Sequence, residues 1–357
     1  MKIILTGGGT AGHAWPLILV ARSLFKNKRL SLLYVGSRQG IEKNIARDFK
    51  IPFKGIIIGK RRTYFSFANM WDLIKIFIGI IQGFFILLCF RPNIVFAKGG
   101  YVTVPIIFWL KLFKIPLVIH ESDAVIGRAN LWAGKFAEKI CLGFPIEVYK
   151  QNLPLEKLIY TGTPVNPEFL EIPIKTGDKL KLLITGGSQG SQKINSIIKQ
   201  ILPNLLKKYE IWHLTGETFY ENLSKVESPN YHLYKFTYDL PKFLRDANLV
   251  ISRAGASTLT EISASSKAAI IIPIAESAGN HQVANAKVYA DQNAAVVLTE
   301  KNLSSSSLES IIDSLMKDKN LRELLGHHAH SLYQPDATDS IIETIFEVAK
   351  HAKHAKN

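Results

Sequence analysis

One short passage occurs twice in this chain: an apolar strand runs straight into glycines, and the glycines into a helix. Residues 2–16, KIILTGGGTAGHAWP, give it first, and residues 179–195, KLKLLITGGSQGSQKIN, give it again. Free N–H groups in such a turn, with the positive end of the helix that follows, form a ready phosphate site. The passage also marks the first strand of a doubly wound parallel sheet. Two copies imply two α/β units, and 357 residues are enough to give each its own core.

The rest of the chain fills in both units. Apolar runs at residues 30–36, 93–100, 116–122 and 139–143 read as buried parallel strands, with helices at 17–25, 71–90 and 104–112. Beyond residue 179 the runs EIWHLTG, YHLYKF, NLVISRAG, AAIIIPI and AAVVLTE repeat the pattern. Proline and glycine gather at 160–178, YTGTPVNPEFLEIPIKTGD, which marks a boundary. The expected fold class is α/β, with two Rossmann-like domains at 1–165 and 166–335 and a closing helical segment at 336–357.

Charge is distributed unevenly between the halves. Residues 1–165 carry 23 Lys and Arg against 8 Asp and Glu, whereas residues 166–357 carry 21 of each. The whole formal excess of +15 therefore lies in the first half, which should face something anionic, either nucleic acid or a membrane surface. The stretches GKRRTYFSF (59–67) and FWLKLFK (108–114) mix cations with aromatics as interfacial anchors do, which favours the membrane and sets nucleic acid aside. Residues 76–90, IFIGIIQGFFILLCF, fall short of the roughly 20 apolar residues that span a bilayer. This segment reads either as a buried crossover helix or as one dipping into a single leaflet. Only three apolar residues separate Lys2 from the first turn, too few for a secretory leader, and Cys89 and Cys141 form no disulfide framework. A cytoplasmic protein is expected.

Several stretches carry chemistry. Gly7-x-Gly9-x-x-Gly12 matches a dinucleotide fingerprint. That reading needs an acid at the end of the next strand to hold a ribose, and YVGSRQG (34–40) supplies none. Arg38 could meet a 2′-phosphate, which keeps an NADP enzyme as runner-up, although the second glycine turn weakens it. In SRAGASTLTE (252–261), Ser257 and Thr258 could donate to a phosphate, or Thr258 and Glu261 could form a capping box. In NHQVANA (280–286), His281, Gln282 and Asn285 group neutral polar side chains suited to sugar hydroxyls. HESDAVIGRAN (120–130) follows a strand, where open sheets place their sites, and so singles out Glu121, Asp123 and Asn130. His13 can serve as a general base near neutral pH. No Asp-x-Asp pair, phosphate-binding P-loop or zinc-spaced cysteine set occurs, so neither a metal nor another cofactor is called for.

Taken in order, GGTAGHAWP, KGGYVTVP, HESDAVIGRAN, TGTPV, GGSQGSQKIN, SRAGASTLTE and NHQVANA resemble the hallmark motifs of the MurG family. These are N-acetylglucosaminyltransferases that complete lipid II in peptidoglycan synthesis. The resemblance implies the GT-B glycosyltransferase fold, in which two parallel sheets face a central cleft and the closing helix packs back on the first domain. It implies an inverting, metal-independent transfer of N-acetylglucosamine from UDP-N-acetylglucosamine to the 4-hydroxyl of lipid-linked N-acetylmuramyl-pentapeptide. A polyprenyl-pyrophosphate-linked acceptor, an anionic membrane surface and other proteins of cell-wall synthesis are the implied partners. The implied location is peripheral, on the cytoplasmic face of the plasma membrane.

The resemblance also carries residues. On the donor side it implies Thr10, Gly12, Asp123, Asn166, Ser188, Gln189, Ala256, Ser257 and Thr258. Glu261 would take the ribose hydroxyls, His281 and Gln282 the sugar, and the backbone near Phe236 and Thr237 the uracil. On the acceptor side it implies Gly9, Thr10, His13, Gly100, Tyr101, Glu121 and Asn130, with the first glycine turn near the acceptor diphosphate. His13 is the first choice of base, with Asp123 and Glu121 as substitutes. The chain departs from the family at Ser122 and Asp123, where amides are common, and at Asn166, where arginine is frequent. Rival readings are a related enzyme with another UDP-sugar or lipid acceptor, a sugar-nucleotide epimerase, and a non-catalytic membrane-associated homologue.

Overall fold

The structure is a computed structural model that describes residues 1–9, 11–59, 68–149, 153–170, 179–187, 190–237, 239–275 and 278–354. Two compact units divide the chain. The first comprises Met1–Ser122, Ile126–Pro164 and Pro335–Asn357, and the second Asp123–Val125 and Val165–Gln334.

Among the described residues, seven parallel strands make the first unit's sheet: β1 (Lys2–Thr6), β2 (Ser31–Ser37), β3 (Phe53–Ile56), β4 (Ile94–Ala97), β5 (Leu117–Glu121), β6 (Lys139–Leu142) and β7 (Leu158–Tyr160). Their order is β3-β2-β1-β4-β5-β6-β7. Between them run α1 (Ala11–Phe25), α2 (Ile41–Asp48), α3 (Ala68–Phe90), α4 (Val104–Phe113) and α5 (Arg128–Gly134). Strands β4 and β5 are buried along their whole length, as strands covered on both faces must be. Alternation divides the core into two layers. Ile3 and Leu5 meet Leu17, Ile18 and Ala21 of α1, while Ile4 meets Val35, Val95, Ile106 and Leu110. The chain's last helix, reaching from Ala337 to His354, adds Ile341, Ile345 and Val348 to the α1 layer.

The second unit repeats the plan with, among the described residues, six parallel strands: β8 (Lys181–Thr185), β9 (Glu210–Leu214), β10 (Tyr231–Tyr234), β11 (Leu249–Ser252), β12 (Ala269–Ile271) and β13 (Val296–Val297). The order β10-β9-β8-β11-β12-β13 again places the third, second and first strands before the fourth, fifth and sixth. Its helices are α6 (Gln192–Lys208), α7 (Leu240–Asp246), α8 (Ala256–Ala264), α9 (His281–Asp291), α10 (Ser305–Lys317) and α11 (Lys319–Ser331), and Ala337–His354 becomes α12. Leu182 and Ile184 of β8 pack with Ile194 and Ile198 of α6, Ile312 of α10 and Leu325 of α11.

The structure adds to and shifts the sequence-based elements. Strands β3 and β7 were not expected. Both are short edge strands, and Phe53–Ile56 contains an exposed lysine and a glycine that blur its alternation. Helix α1 starts at Ala11, six residues before the expected 17, and contains Pro16. Proline removes one internal donor, yet Leu17, Ile18, Ala21 and Leu24 beyond it are fully or nearly fully buried, and that burial carries the helix.

Candidate active site

In a doubly wound sheet the crevice opens where neighbouring connections diverge, at the carboxyl ends of the first and fourth strands. In the second unit these are β8 and β11. The turn after β8 is built for glycine. Gly187 and Gly190 have φ of +81° and +75°, and a Cβ on Gly190 would overlap the Thr215 carbonyl. Ser191 then caps α6, its Oγ accepting from the Ile194 N–H at 3.4 Å. Ser188 and Gln189, expected at the phosphates, lie outside the described residues.

Beneath this turn sits a polar network that sequence reasoning did not single out. Asn195 Nδ2 donates to the Thr215 carbonyl at 2.8 Å, so its Oδ1 faces His213 Nε2 at 3.0 Å and accepts from it. The Tyr231 hydroxyl donates to His213 Nδ1 at 3.0 Å. All three side chains are buried, and desolvation lowers the His213 imidazole to about 3. It is a neutral, single-tautomer strut at physiological pH.

Arg253 was quoted within its motif but given no role, and it stitches the unit's strand ends together. Its Nε donates to Ser191 Oγ at 3.0 Å and its Nη1 to the Ile272 carbonyl at 3.0 Å, while Nη2 pairs with Glu300 Oε1 at 2.8 Å. One planar fork thus ties together the turn after β8, the end of β12 and the segment after β13. An arginine directly after an apolar strand was the signal that could have found it.

After β11 the chain passes through Gly255, where an added Cβ would meet nothing within 4 Å, into α8. Gly255 is the N-cap, with no side-chain capping bond, so Ala256, Ser257 and Thr258 form the helix's first turn. The alternative capping box of Thr258 and Glu261 does not form, because both residues lie inside the helix. An N-terminus with no side-chain cap beside open space suits an anion. Glu261 keeps partial solvent contact, yet its surroundings push the carboxyl up to about 8 by desolvation.

The remaining second-unit candidates gather around α9. His281 and Gln282 open that helix, and Gln282 Oε1 accepts from the Ile274 N–H at 3.1 Å. Asn285, fully buried one turn on, donates through Nδ2 to Asp123 Oδ1 at 2.8 Å and to the Ala254 carbonyl at 3.0 Å. Its Oδ1 accepts from the Ala124 N–H at 2.7 Å, so one amide holds the short segment Asp123–Val125. Phe236 stands exposed beyond β10, and Thr237 Oγ1 accepts from the Asp239 N–H at 2.9 Å. Asn166 accepts from the Glu168 and Phe169 N–H groups and thereby caps the turn Pro167–Leu170.

In the first unit the loops after β1, β4 and β5 come together. A Cβ on Gly100 would lie 3.2 Å from the Gly8 carbonyl, and one on Gly9 would lie 3.3 Å from the Tyr101 hydroxyl. Asn130 is pressed against Gly99 and donates to the His120 carbonyl at 3.1 Å and to Glu121 Oε2 at 2.9 Å. Glu121 Oε2 also accepts from the Gly127 N–H at 2.9 Å. Glu121, only 3% exposed, is thus engaged in holding the loop ahead of α5, which counts against its use as a reserve base. Ser122, one of the departures from the family pattern, has a partner in buried Lys98, whose Nζ donates to it at 2.7 Å. Gly12 and His13 lie in the first turn of α1; the His13 side chain and Thr10 lie outside what the structure describes.

Two parallel, doubly wound units, each with a glycine turn at its switch point, form the paired Rossmann-like architecture that one class of glycosyltransferases uses. Sequence profiles agree: the Glycosyltransferase family 28 N-terminal domain matches residues 3–142 and the C-terminal domain residues 181–337. The UDP-N-acetylglucosamine--N-acetylmuramyl-(pentapeptide) pyrophosphoryl-undecaprenol N-acetylglucosamine transferase of Bacillus licheniformis is 32% identical, over 99% of this chain and 100% of that protein. The transferase of the same name from Lachnospira eligens is 35% identical, over 98% and 99% of the two chains. Among solved structures, Acinetobacter baumannii MurG superposes with a TM-score of 0.75 at 26% identity, over 97% of this chain and 99% of that one. The chain belongs to glycosyltransferase family 28, within the group of these N-acetylglucosamine transferases.

Proposed function

We propose that this chain transfers N-acetylglucosamine from UDP-N-acetylglucosamine to the 4-hydroxyl of a lipid-linked N-acetylmuramyl-pentapeptide, with inversion at the sugar. What carries the reading is the second unit's pair of open glycine turns, joined by Arg253, in a chain whose full-length relatives bear that activity in their names. The UDP diphosphate is assigned to the α8 N-terminus and the turn after β8, which stabilise the charge growing on the leaving group. Glu261 receives the ribose hydroxyls, and His281 and Gln282 the sugar. The acceptor is assigned to the first unit, beside Tyr101 and the start of α1. His13 is the base of choice, since Glu121 is engaged by Gly127 and Asn130 and Asp123 by Asn285.

The Glu261 assignment has a thermodynamic consequence. With its carboxyl raised to about 8, Glu261 is mostly protonated at pH 7 in the unliganded chain. Ribose hydroxyls donate best to the ionised form, so donor binding lowers that value and releases a proton. UDP affinity should therefore rise with pH up to about 8 and then level off. Calorimetric titration of UDP at pH 7 in buffers of different ionisation enthalpy should report release of about one proton, lost in Glu261→Gln. A binding heat independent of buffer in the unmodified chain would falsify the assignment.

A membrane-bound acceptor also accounts for an unusual helix. On one side of α3, Gly79 and Gly83 let it close onto Ile57 and Pro105; on the other, Ile74, Phe77, Ile78, Ile81, Phe85 and Leu88 are exposed. Phe77 is 65% exposed, as is Leu112 of α4; Lys75 and Lys111 are exposed on the same two helices, and Lys114 just past the end of α4. An apolar face of this kind calls for an apolar neighbour. No helix among the described residues is long and apolar enough to cross a membrane, so the reading is surface contact, with the anionic cytoplasmic leaflet. The basic stretch 60–67 lies outside the described residues. Phe77→Glu with Phe85→Glu should lower co-sedimentation with anionic vesicles by about tenfold or more; unchanged sedimentation contradicts the contact.

A further inference from the structure

The helices on the two sides of the first unit's sheet carry different surfaces. α3 and α4 pack on the layer of Ile4, Val35 and Val95 and turn an apolar side outward. α1, α2 and α12 pack on the other layer, around Ile3 and Leu5. There α1 and α2 present cations. Arg22 is exposed near the end of α1 and Lys26 just past it. Lys43 and Arg47, one turn apart, are exposed on α2, and Lys50 follows at its end. Arg22 joins the two groups, its guanidinium lying over the Phe49 ring at 4.7 Å. Phe25, half exposed, falls between Arg22 and Lys26.

Across residues 11–54, nine Lys and Arg stand against two acids. Glu42 is buried, its carboxylate accepting from the Ser37 and Gly9 N–H groups at 2.8 and 3.3 Å. Asp48 already meets Arg47 at 3.4 Å. Lys26, Lys43 and Lys50 have no acidic partner among the described residues. The second unit treats its matching helix differently. α6 is also rich in lysine, yet Lys193 and Lys208 at its ends pair with Glu300 at 3.8 Å and Asp313 at 2.6 Å. Nor do helix dipoles account for the first unit's cations, since Lys43 sits in the first turn of α2, the end that favours acids.

An uncompensated cationic surface calls for an anionic neighbour. With α3 and α4 on the bilayer, as proposed above, lipid does not supply it. A helix is about 10 Å across, so with the sheet between them the outer faces of the two layers stand more than about 20 Å apart. Charges are screened over about 8 Å at physiological salt. A nucleic acid would be held mostly through phosphates, which helix N-termini receive. This face instead shows the C-terminal ends of two helices and an aromatic ring among cations, a mixture typical of protein interfaces. We propose that the α1–α2 face docks an acidic protein segment, which lays carboxylates and apolar side chains along the two helices while the opposite layer rests on the bilayer. Only the placing of lipid on the opposite layer rests on the proposed function; the uncompensated charge does not.

The probe is poly-L-glutamate of about 20 residues, long enough to cover both helices, titrated into the full chain at about 0.15 M salt. Anionic vesicles and a single-stranded oligonucleotide of equal charge are titrated in parallel. The unmodified chain is expected to bind polyglutamate more tightly than the oligonucleotide. K26E/K43E/R47E should weaken polyglutamate binding by about tenfold or more and leave vesicle co-sedimentation within about twofold. F77E/F85E should do the reverse. Should the triple reversal not fold, K26Q/K43Q/R47Q makes the same comparison with a smaller change of charge. No polyglutamate binding by the unmodified chain, or binding unchanged in the folded triple variant, overturns the proposal. So does an equal loss of vesicle binding, which would turn this face to the membrane. Tighter binding of the oligonucleotide, lost in the same variant, also overturns it and makes this a nucleic-acid surface. If F77E/F85E sediments as before while the triple variant still loses polyglutamate, the membrane reading fails and the docking face stands.

Discussion

Replacing Arg253 by lysine is expected to weaken UDP binding by about tenfold to a hundredfold and to lower the second unit's stability by about 2–4 kcal/mol. The guanidinium makes three contacts at once, to Ser191, to the Ile272 carbonyl and to Glu300, and an ammonium group cannot reproduce that fork. Its loss frees the turn after β8 from the segment after β13, so the donors around the phosphate position lose their fixed spacing. Glu300 remains partly solvated and keeps Lys193 at 3.8 Å, which holds the stability loss below that of a fully buried broken pair. Calorimetric UDP titration and urea unfolding measure the two effects. A variant that is less stable but binds UDP as before would limit Arg253 to packing and remove it from the site.

Acid should weaken the second unit through His213. Its folded value near 3 lies below the ordinary 6.5, so the unfolded chain binds the extra proton first. The contribution is fully present above 6.5 and declines as pH falls towards 3, by about 3 kcal/mol at pH 4. Because Asn195 links this imidazole to Thr215, the loss extends to the donor turn. Hydrogen exchange at the β9 amides, corrected for intrinsic rates, should show protection falling between pH 6.5 and pH 4. In His213→Gln, which does not titrate, that fall should be smaller by about the same 3 kcal/mol. Equal pH dependence in both proteins would contradict a buried neutral histidine.

Much of the fold is legible in the sequence because parallel strands covered on both faces must be continuously apolar, and glycine turns punctuate them. Residues such as Ile94–Ala97 and Leu249–Ser252 therefore stand out. Edge strands lose half of that signal, and Phe53–Ile56 and Leu158–Tyr160 passed unnoticed for that reason. Motif order identified the loops at the strand ends, but not the side chains that brace them from within. Glu42 acts on Gly8 and Gly9 from more than thirty residues away, Arg253 on Glu300 from nearly fifty, and Asn285 on Asp123 from more than a hundred and sixty. No periodicity links such partners; only the closing of the sheet brings them together.

Acceptor-dependent release of UDP decides the function most directly. Full-length protein is given UDP-N-acetylglucosamine labelled in the sugar, with and without a lipid-linked N-acetylmuramyl-pentapeptide in anionic vesicles, beside His13→Ala. A transferase of the proposed specificity releases UDP only with the acceptor present, moves the label onto the lipid, and loses both activities in the variant. Release of UDP that ignores the acceptor, or no transfer to the lipid by a chain that binds UDP, would contradict it.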